Sequence, residues 1–220
     1  MNNISQIKIF GERNSGTNYI KRLLTVNLKT KIKLHSGTYT NPLGWKHCLP
    51  DPQTIINKKN TLIIFIIRNL EEWLNSMYFR PYHLKGKKNF NDFITERNKS
   101  KEHRKNHPVN LFSYEKENLF QIRYKKFKRY LTFLKEHNVI LINLKFAQQE
   151  PQHFLILISK FGIITNKNFK PILKHTKTGK KTSDDMSHQK FKISSDIYGK
   201  YADHEIETYI NNLSHTINII

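Results

Sequence analysis

Apolar residues occur in short runs separated by polar segments, and the spacing within these runs predicts alternating strands and helices. The run TLIIFII at Thr61–Ile67 is continuous and rich in β-branched residues. Such a run is typical of a central strand of a parallel sheet, because helices cover both of its faces. Shorter apolar runs predict further strands at Gln6–Phe10, Thr30–His35 and Asn138–Asn143.

Helical periodicity marks the segments between these strands. In TNYIKRLLTVN, Thr17–Asn27, the apolar residues recur with the spacing of an amphipathic helix. Pro151–Phe161 is apolar and begins with a proline, which suits the first turn of a helix. The pattern predicts further helices at Leu70–Tyr78, Glu117–His137 and Ala202–Asn218.

The alternation of strands with helices predicts one α/β domain spanning residues 1–220, with a parallel sheet between two layers of helices. In such sheets ligands bind beyond the carboxyl ends of the strands. Gly11–Asn18 and Arg68 both fall at such ends. Two basic segments that are poor in apolar residues, 85–108 and 167–196, are predicted to be mobile loops or a lid.

The charge balance favours a polyanionic ligand without choosing one. Lys and Arg number 38 against 17 Asp and Glu, for a formal net charge of +21. Nucleic acid, an anionic glycan, an acidic lipid surface or a phosphorylated cofactor would each suit this charge. An AT-rich coding sequence would also enrich lysine, so nucleic-acid binding is not expected, although the charge does not exclude it.

Other global features narrow the class of protein. The apolar runs fall well short of the roughly 20 residues that a membrane-spanning helix needs. The first ten residues, MNNISQIKIF, lack the pattern of a signal peptide, so a cytoplasmic location is expected. A single cysteine, Cys48, excludes an internal disulfide and a cysteine-rich metal site.

The segment FGERNSGTNY, Phe10–Tyr19, has the pattern of a phosphate-binding loop between a strand and a helix. Gly11 and Gly16 have the spacing of the glycines in the phosphate loop of nucleoside triphosphatases. Glycines permit the turn, and the backbone N–H groups at the start of the helix bind an anion. Thr17 stands where that loop has its lysine, which disfavours ATP hydrolysis and phosphoryl transfer. A glycine-containing turn without a ligand is the alternative.

The loop also resembles that of another family. SGTNY, Ser15–Tyr19, is similar to the SGTTW-type loop of sulfotransferases, which grips the 5′-phosphosulfate of 3′-phosphoadenosine 5′-phosphosulfate. The resemblance implies the three-layer α/β fold that sulfotransferases share with P-loop nucleoside triphosphatases. It implies that the 5′ side of this cofactor contacts Asn14, Ser15, Gly16, Thr17, Asn18 and Tyr19.

A second segment resembles the same family. Sulfotransferases have an arginine at the end of a central strand and a serine eight residues later, and these two residues hold the 3′-phosphate of the cofactor. Arg68 ends the strand at Thr61–Ile67, and Ser76 follows eight residues later. An arginine at a strand end and a hydroxyl two helical turns along can face one phosphate group.

The segment GWKHCLP, Gly44–Pro50, resembles the K-x-H-L-P segment whose histidine is the base of sulfotransferases. The register differs, because Lys46 and His47 are adjacent. The resemblance implies that His47 accepts the proton of the acceptor and that Lys46 stabilises the sulfuryl group in transfer. Histidine suits a general base near pH 7, and cations suit the developing charge on the sulfuryl oxygens.

The loop lysine of sulfotransferases is absent, because Asn14 occupies its place. Arg13, one residue earlier, is predicted to supply the missing cation. Glu12 is either a helper base or the partner of Arg13.

The aromatic segment Met77–His83 is predicted to border the acceptor pocket, with ordinary packing as the alternative. Lys174–Lys181 resembles only loosely the late basic loop of the family.

These features predict a metal-independent sulfotransferase that uses 3′-phosphoadenosine 5′-phosphosulfate and releases 3′,5′-adenosine bisphosphate. The expected acceptor is a hydroxyl, or less readily an amine, of a carbohydrate or small molecule. Two alternatives remain open at this point. One is a nucleotide or small-molecule kinase with a degenerate phosphate loop, and the other is a basic nucleic-acid-binding protein without enzymatic activity.

Overall fold

A five-stranded sheet forms the centre of the protein in a computed structural model, which describes residues 3–29, 31–36, 43–55, 57–81, 89–96, 117–172 and 190–219. The strand order is β2-β1-β3-β4-β5. The strands are β1 (Gln6–Gly11), β2 (Lys33–His35), β3 (Thr61–Ile67), β4 (Asn138–Asn143) and β5 (His215–Asn218). The first four strands are parallel, whereas β5 pairs antiparallel with β4.

Helices pack on both faces of this sheet. The helices are α1 (Thr17–Asn27), α2 (Leu70–Phe79), α3 (Phe90–Thr95), α4 (Leu119–Phe133), α5 (Leu144–Gln149), α6 (Pro151–Ser159), α7 (Ser195–Tyr201) and α8 (His204–Asn212). Residues of α1, α5 and α6 share one buried core, and residues of α2, α3, α4 and α8 share the other. An α/β fold with a mostly parallel sheet between helices is therefore confirmed.

Strand β3 has the two buried faces that its sequence predicts. All seven of its residues are buried. Ile63, Phe65 and Ile67 contribute to the core beneath α2 and α4, and the residues between them contribute to the core beneath α1 and α6. This alternation follows from the two-residue period of a strand, and it requires apolar side chains at every position.

The end of the chain differs from the prediction. The sequence predicted one helix over Ala202–Asn218, but α8 ends at Asn212 and the chain continues into β5. Leu213 has an extended conformation, with φ −74° and ψ 114°, which ends the helix. Strand β5 then covers the edge of β4, which would otherwise present unpaired backbone groups. The prediction of a wholly parallel sheet was therefore wrong at its last strand.

Other boundaries differ by less. The helix predicted over Glu117–His137 is shorter, because Asn118 and Gln121 form a capping box that begins α4 at Leu119. Helix α6 ends two residues before Phe161, and an additional short helix, α5, precedes it. Within 85–108 and 167–196 the structure describes only 89–96, 167–172 and 190–196, so the predicted mobility stays a prediction.

The strand order creates a crevice at one end of the sheet. From β1 the chain crosses to β2 on one side, and it then returns past β1 to β3 on the other side. The connections that leave β1 and β3 therefore diverge, and ligands of open α/β sheets bind at such a point. The predicted phosphate loop and Arg68 follow these two strands. In the part of the chain that the structure describes, no helix has the length and apolar character required to cross a membrane.

One buried histidine makes the stability of the fold dependent on pH. The ring of His137 is inaccessible to solvent, it stacks on Phe133 with centroids 4.8 Å apart, and neither ring nitrogen has a hydrogen-bond partner among the described residues. Burial lowers the pKa of His137 to about 4. Between pH 6.5 and 4 the unfolded chain therefore binds a proton that the folded chain does not, and stability falls as the pH falls.

We expect His137→Leu to remove part of this dependence, because leucine has no site for the proton. Between pH 7 and pH 5 the free energy of unfolding should fall by about 1–2 kcal/mol less in the variant than in the wild type. Urea unfolding at the two pH values measures the difference. His204→Leu is the control, since His204 is exposed on α8. The same fall in wild type and His137→Leu would exclude this role for His137.

Candidate functional site

The loop between β1 and α1 has the backbone of an anion-binding turn. Asn14 and Gly16 both have left-handed conformations, with φ of 59° and 89°. Asparagine and glycine are the residues that adopt this conformation most readily. Helix α1 begins at Thr17 without a side-chain cap, so the N–H groups of its first turn have no partner within the helix. They face the same end of the sheet as the carboxyl ends of β1 and β3.

Packing as well as backbone conformation requires glycine at position 16. A Cβ added there would lie 2.4 Å from Cδ1 of Leu144, the first residue of α5. The start of α1 therefore lies directly against the end of β4. Gly11 is similarly constrained, because an added Cβ would lie 2.3 Å from Ser15 Oγ. The close contacts explain why both glycines of the sequence pattern are needed.

Ser15 contributes a buried hydroxyl that lacks a partner. Its side chain is inaccessible to solvent, and Oγ makes no hydrogen bond to any described residue. A buried polar group without a partner costs about 1–3 kcal/mol. A phosphate or sulfate oxygen in the loop would satisfy this hydroxyl. Thr17, the first residue of α1, is also buried, at 3% exposed.

Asn14 connects the loop to the end of α2. Its side-chain Nδ2 donates hydrogen bonds to the carbonyl oxygens of Ser76, at 3.0 Å, and Arg80, at 3.1 Å. The amide of Asn14 is thus engaged by the last turn of a helix, and it does not replace the absent lysine. Its predicted contact with a cofactor remains a prediction.

Arg68 lies beside the same turn. It follows β3, and its Nη1 donates a hydrogen bond to the carbonyl oxygen of Asn14 at 3.1 Å. Nη2 lies 3.7 Å from a carboxylate oxygen of Glu72. Burial lowers the pKa of Arg68, but a guanidinium stays protonated at physiological pH. Arg68 contacts Asn14 through its guanidinium and Ser76 does so through its backbone carbonyl. That these two residues hold one phosphate group stays a prediction.

The segment with Lys46 and His47 packs against the first residue of the loop. The N–H of Gly11 donates to the carbonyl oxygen of Lys46 at 2.9 Å, and His47 Nδ1 lies 2.8 Å from the carbonyl oxygen of Gly11. Lys46 Nζ donates to Oδ1 of Asn18, in the first turn of α1, at 2.6 Å. The fold therefore brings together residues that the sequence separates by 36 and 28 positions.

The contact with Gly11 fixes the tautomer of His47. A carbonyl oxygen only accepts hydrogen bonds, so Nδ1 carries the proton and Nε2 carries the free lone pair. The side chain is 8% exposed, and burial lowers the pKa of His47 to about 3. The ring is therefore neutral at pH 7. A base with a pKa near 7 was expected. The pKa is lower because the ring is buried, and the nearby cations Lys46, Lys126 and Arg13 lower it further.

Arg13 stacks on an aromatic ring that the sequence analysis did not single out. Its guanidinium lies 4.6 Å from the centroid of Trp45, and the ring of Trp45 meets that of His47 edge-on with centroids 5.0 Å apart. The carbonyl oxygen of Arg13 accepts a hydrogen bond from Trp73 Nε1 at 2.8 Å. Two tryptophans thus fix the residue predicted to supply the missing cation.

A buried ion network that was not predicted from the sequence lies behind the loop. Arg123 on α4 binds Glu12 at 2.8 Å and Glu207 on α8 at 2.7 Å, and the side chains of all three are nearly inaccessible. Glu12 therefore pairs with Arg123, whereas the sequence had suggested Arg13. A signal was present: Arg123 lies four residues from both Leu119 and Phe127, on the apolar stripe of α4.

Tyr78 and Phe79, in the predicted acceptor segment, take part in an aromatic cluster. Tyr78 contacts Phe90 edge-on, with centroids 5.5 Å apart, and Phe90 stacks on Phe191 at 5.1 Å. Packing therefore accounts for these two aromatic residues. Tyr82 and His83, like the basic segment 174–181, lie outside the described residues.

No metal site in the described part of the chain and no match to a known protein assigns a function to these residues. Within the described ranges, no group of three or more His, Cys, Asp or Glu side chains could hold a metal ion. No model of a known protein family matches the chain, and no curated protein matches it either. The function must therefore follow from the geometry and chemistry of the site.

Proposed function

We propose that the protein is a sulfotransferase that transfers a sulfuryl group from 3′-phosphoadenosine 5′-phosphosulfate to a hydroxyl, or less readily an amine, of a carbohydrate or small-molecule acceptor. One observation carries the proposal. The loop Gly11–Tyr19 contacts both of the other segments that resemble sulfotransferases. Arg68 donates a hydrogen bond to the carbonyl oxygen of Asn14, and His47 donates one to the carbonyl oxygen of Gly11. Three sequence resemblances thus meet at one crevice of an α/β sheet.

The polar groups of the loop fit a phosphosulfate. The N–H groups at the start of α1 and the unpartnered hydroxyl of Ser15 are suited to anionic oxygens. Lys46 donates a hydrogen bond to the side chain of Asn18, which brings its ammonium group to the first turn of α1. It adds, from another segment, a second positive charge to that of Arg13 in the loop. Arg68 reaches the Asn14 turn from the end of β3, and we assign to it the second phosphate of the same ligand.

The residues also fit the chemistry of sulfuryl transfer. The acceptor oxygen forms a bond to sulfur while the bond from sulfur to the 5′-phosphate oxygen breaks, which releases 3′,5′-adenosine bisphosphate. His47 Nε2 takes the proton of the acceptor hydroxyl. Lys46 and Arg13 stabilise the charge on the sulfuryl and leaving-group oxygens. A bound polyanion raises the pKa of His47, because an opposite charge favours the imidazolium that forms in the reaction.

Arg68→Gln tests the proposed 3′-phosphate site. We expect the wild type to bind 3′,5′-adenosine bisphosphate more tightly than 5′-AMP, and the variant to lose most of this preference. A hydrogen bond to a charged group contributes about 1.5–3 kcal/mol, so the affinity for the bisphosphate should fall roughly tenfold or more. Isothermal titration calorimetry with both nucleotides measures the preference.

Arg22→Gln is the matched control, because it removes the same charge from an exposed position on α1. It should leave the preference unchanged. Equal affinities of the wild type for the bisphosphate and 5′-AMP would refute the assignment of Arg68 and Ser76. Tighter binding of ATP with magnesium, or salt-sensitive binding of RNA without nucleotide preference, would favour the kinase or the nucleic-acid alternative instead.

A further inference from the structure

The most extensive buried polar network in the described part of the protein lies behind the phosphate loop. The side chains of Arg123 and Glu207 are 1% exposed and that of Glu12 is 3% exposed. Arg123 donates through Nη1 to Glu12 at 2.8 Å, through Nε and Nη2 to Glu207 at 2.7 and 3.1 Å, and through Nη2 to the carbonyl oxygen of Arg68 at 2.7 Å. A buried ion network of this kind contributes little to stability compared with apolar residues of the same volume.

Arg123 forms hydrogen bonds with residues on both sides of the proposed ligand site. Glu12 belongs to the loop after β1, and Arg68 follows β3. The same Arg68 that presents its carbonyl oxygen to Arg123 reaches Asn14 with its guanidinium at 3.1 Å. One guanidinium, from α4, therefore joins the Glu12 side chain on one side of the crevice to the Arg68 backbone on the other.

Charge gives the network a second role. Glu12 is a carboxylate inside a loop proposed to bind an anion, where its charge would repel the ligand. Arg123 compensates this charge, but it also binds Glu207 with two hydrogen bonds. The position of Glu207 is set by α8, whose Ile206 and Ile210 are buried in the core on the same face of the sheet. A displacement of α8 therefore alters both the geometry and the charge behind the loop.

We propose that Arg123 and Glu207 are positioning residues that couple helix α8 to the phosphate loop, so that anion binding at Gly11–Tyr19 depends on the C-terminal part of the chain. The coupling rests on the proposed function only in that it concerns the same anion site. Neither residue contacts the ligand. Arg123 holds the loop through Glu12 and the 3′-phosphate side through the carbonyl of Arg68, and Glu207 holds Arg123.

Glu207→Gln tests the coupling, with Ile163→Ala as the matched control. Both variants change a buried side chain, but Ile163 belongs to the core on the opposite face of the sheet and is outside the network. In Glu207→Gln we expect faster hydrogen exchange at the amides of Ser15–Tyr19, relative to the amides of β3 in the same sample. We also expect roughly tenfold weaker binding of 3′,5′-adenosine bisphosphate and of inorganic pyrophosphate. Ile163→Ala should lower the melting temperature without either effect.

A compensated variant covers the case in which Glu207→Gln does not fold. The triple change Glu12→Gln, Arg123→Met and Glu207→Leu leaves no unpaired buried charge, so it should fold. It should still show fast exchange in the loop and weak binding. Equal loop exchange and equal binding in Glu207→Gln and Ile163→Ala would overturn the inference. If the wild type bound neither probe, the proposed function would fail, whereas the exchange of the loop amides would still decide the coupling.

Discussion

Gly16→Ala is expected to destabilise the protein by about 2–4 kcal/mol and to abolish anion binding at the loop. Two independent effects add at this position. Gly16 has φ of 89°, a conformation that side chains with a Cβ adopt only under strain. The added Cβ would also lie 2.4 Å from Leu144 Cδ1, so either this buried side chain or the start of α1 would have to shift. Strain in the turn would displace the N–H groups that are proposed to bind the anion.

Gly199→Ala provides the opposite case in the same protein. Gly199 lies in α7, its φ is not positive, and no atom lies within 4 Å of an added Cβ. Alanine there should stabilise the protein by about 0.5–1 kcal/mol, because it reduces the conformational freedom of the unfolded chain. Urea unfolding and calorimetric titration with 3′,5′-adenosine bisphosphate measure both variants. Wild-type stability and affinity in Gly16→Ala would contradict the packing described for the loop.

His47→Asn is expected to retain nucleotide binding and to lose about 10²–10⁴-fold in turnover, which is the usual contribution of a general base. The amide of asparagine can still donate to the carbonyl oxygen of Gly11, as Nδ1 of His47 does at 2.8 Å. The loop should therefore keep its shape. What the variant lacks is the lone pair of Nε2, which is proposed to accept the proton of the acceptor.

The assay follows the release of 3′,5′-adenosine bisphosphate from the phosphosulfate donor, with monosaccharides as acceptors. His35→Asn is the control, since it changes another buried histidine, on the edge strand β2. Turnover of the wild type should fall as the pH falls through the pKa of His47 in the loaded site, because only the neutral ring accepts a proton. Normal turnover of His47→Asn would mean that another residue is the base.

The central strands and the turn between β1 and α1 were predictable because local pattern determines them. The boundaries of β3, β4 and α1 agree with the sequence prediction. In each case the apolar period of the segment agrees with the element that forms, and no distant contact has to override it. The final segment was mispredicted because its helical pattern is weak and the edge of β4 offered it backbone partners. Pairing across a sheet cannot be inferred from the periodicity of one strand.

In the candidate site, too, some features were predictable from the sequence and others depended on tertiary contacts. The sequence by itself placed Gly11–Tyr19 after β1 and Arg68 after β3, and a family resemblance singled out the segment with Lys46 and His47. Only the tertiary structure decided that these segments touch. It also decided that Asn14 binds the end of α2.

The partner of Glu12 is the clearest case of this division. Its neighbour in the chain, Arg13, stacks on Trp45, whereas Glu12 binds Arg123, 111 residues away. A buried carboxylate needs a cation within hydrogen-bond distance, and burial is a property of the folded chain alone. The sequence therefore specified the charges and the glycines of the loop, and the packing of α4 and α8 specified how those charges are paired.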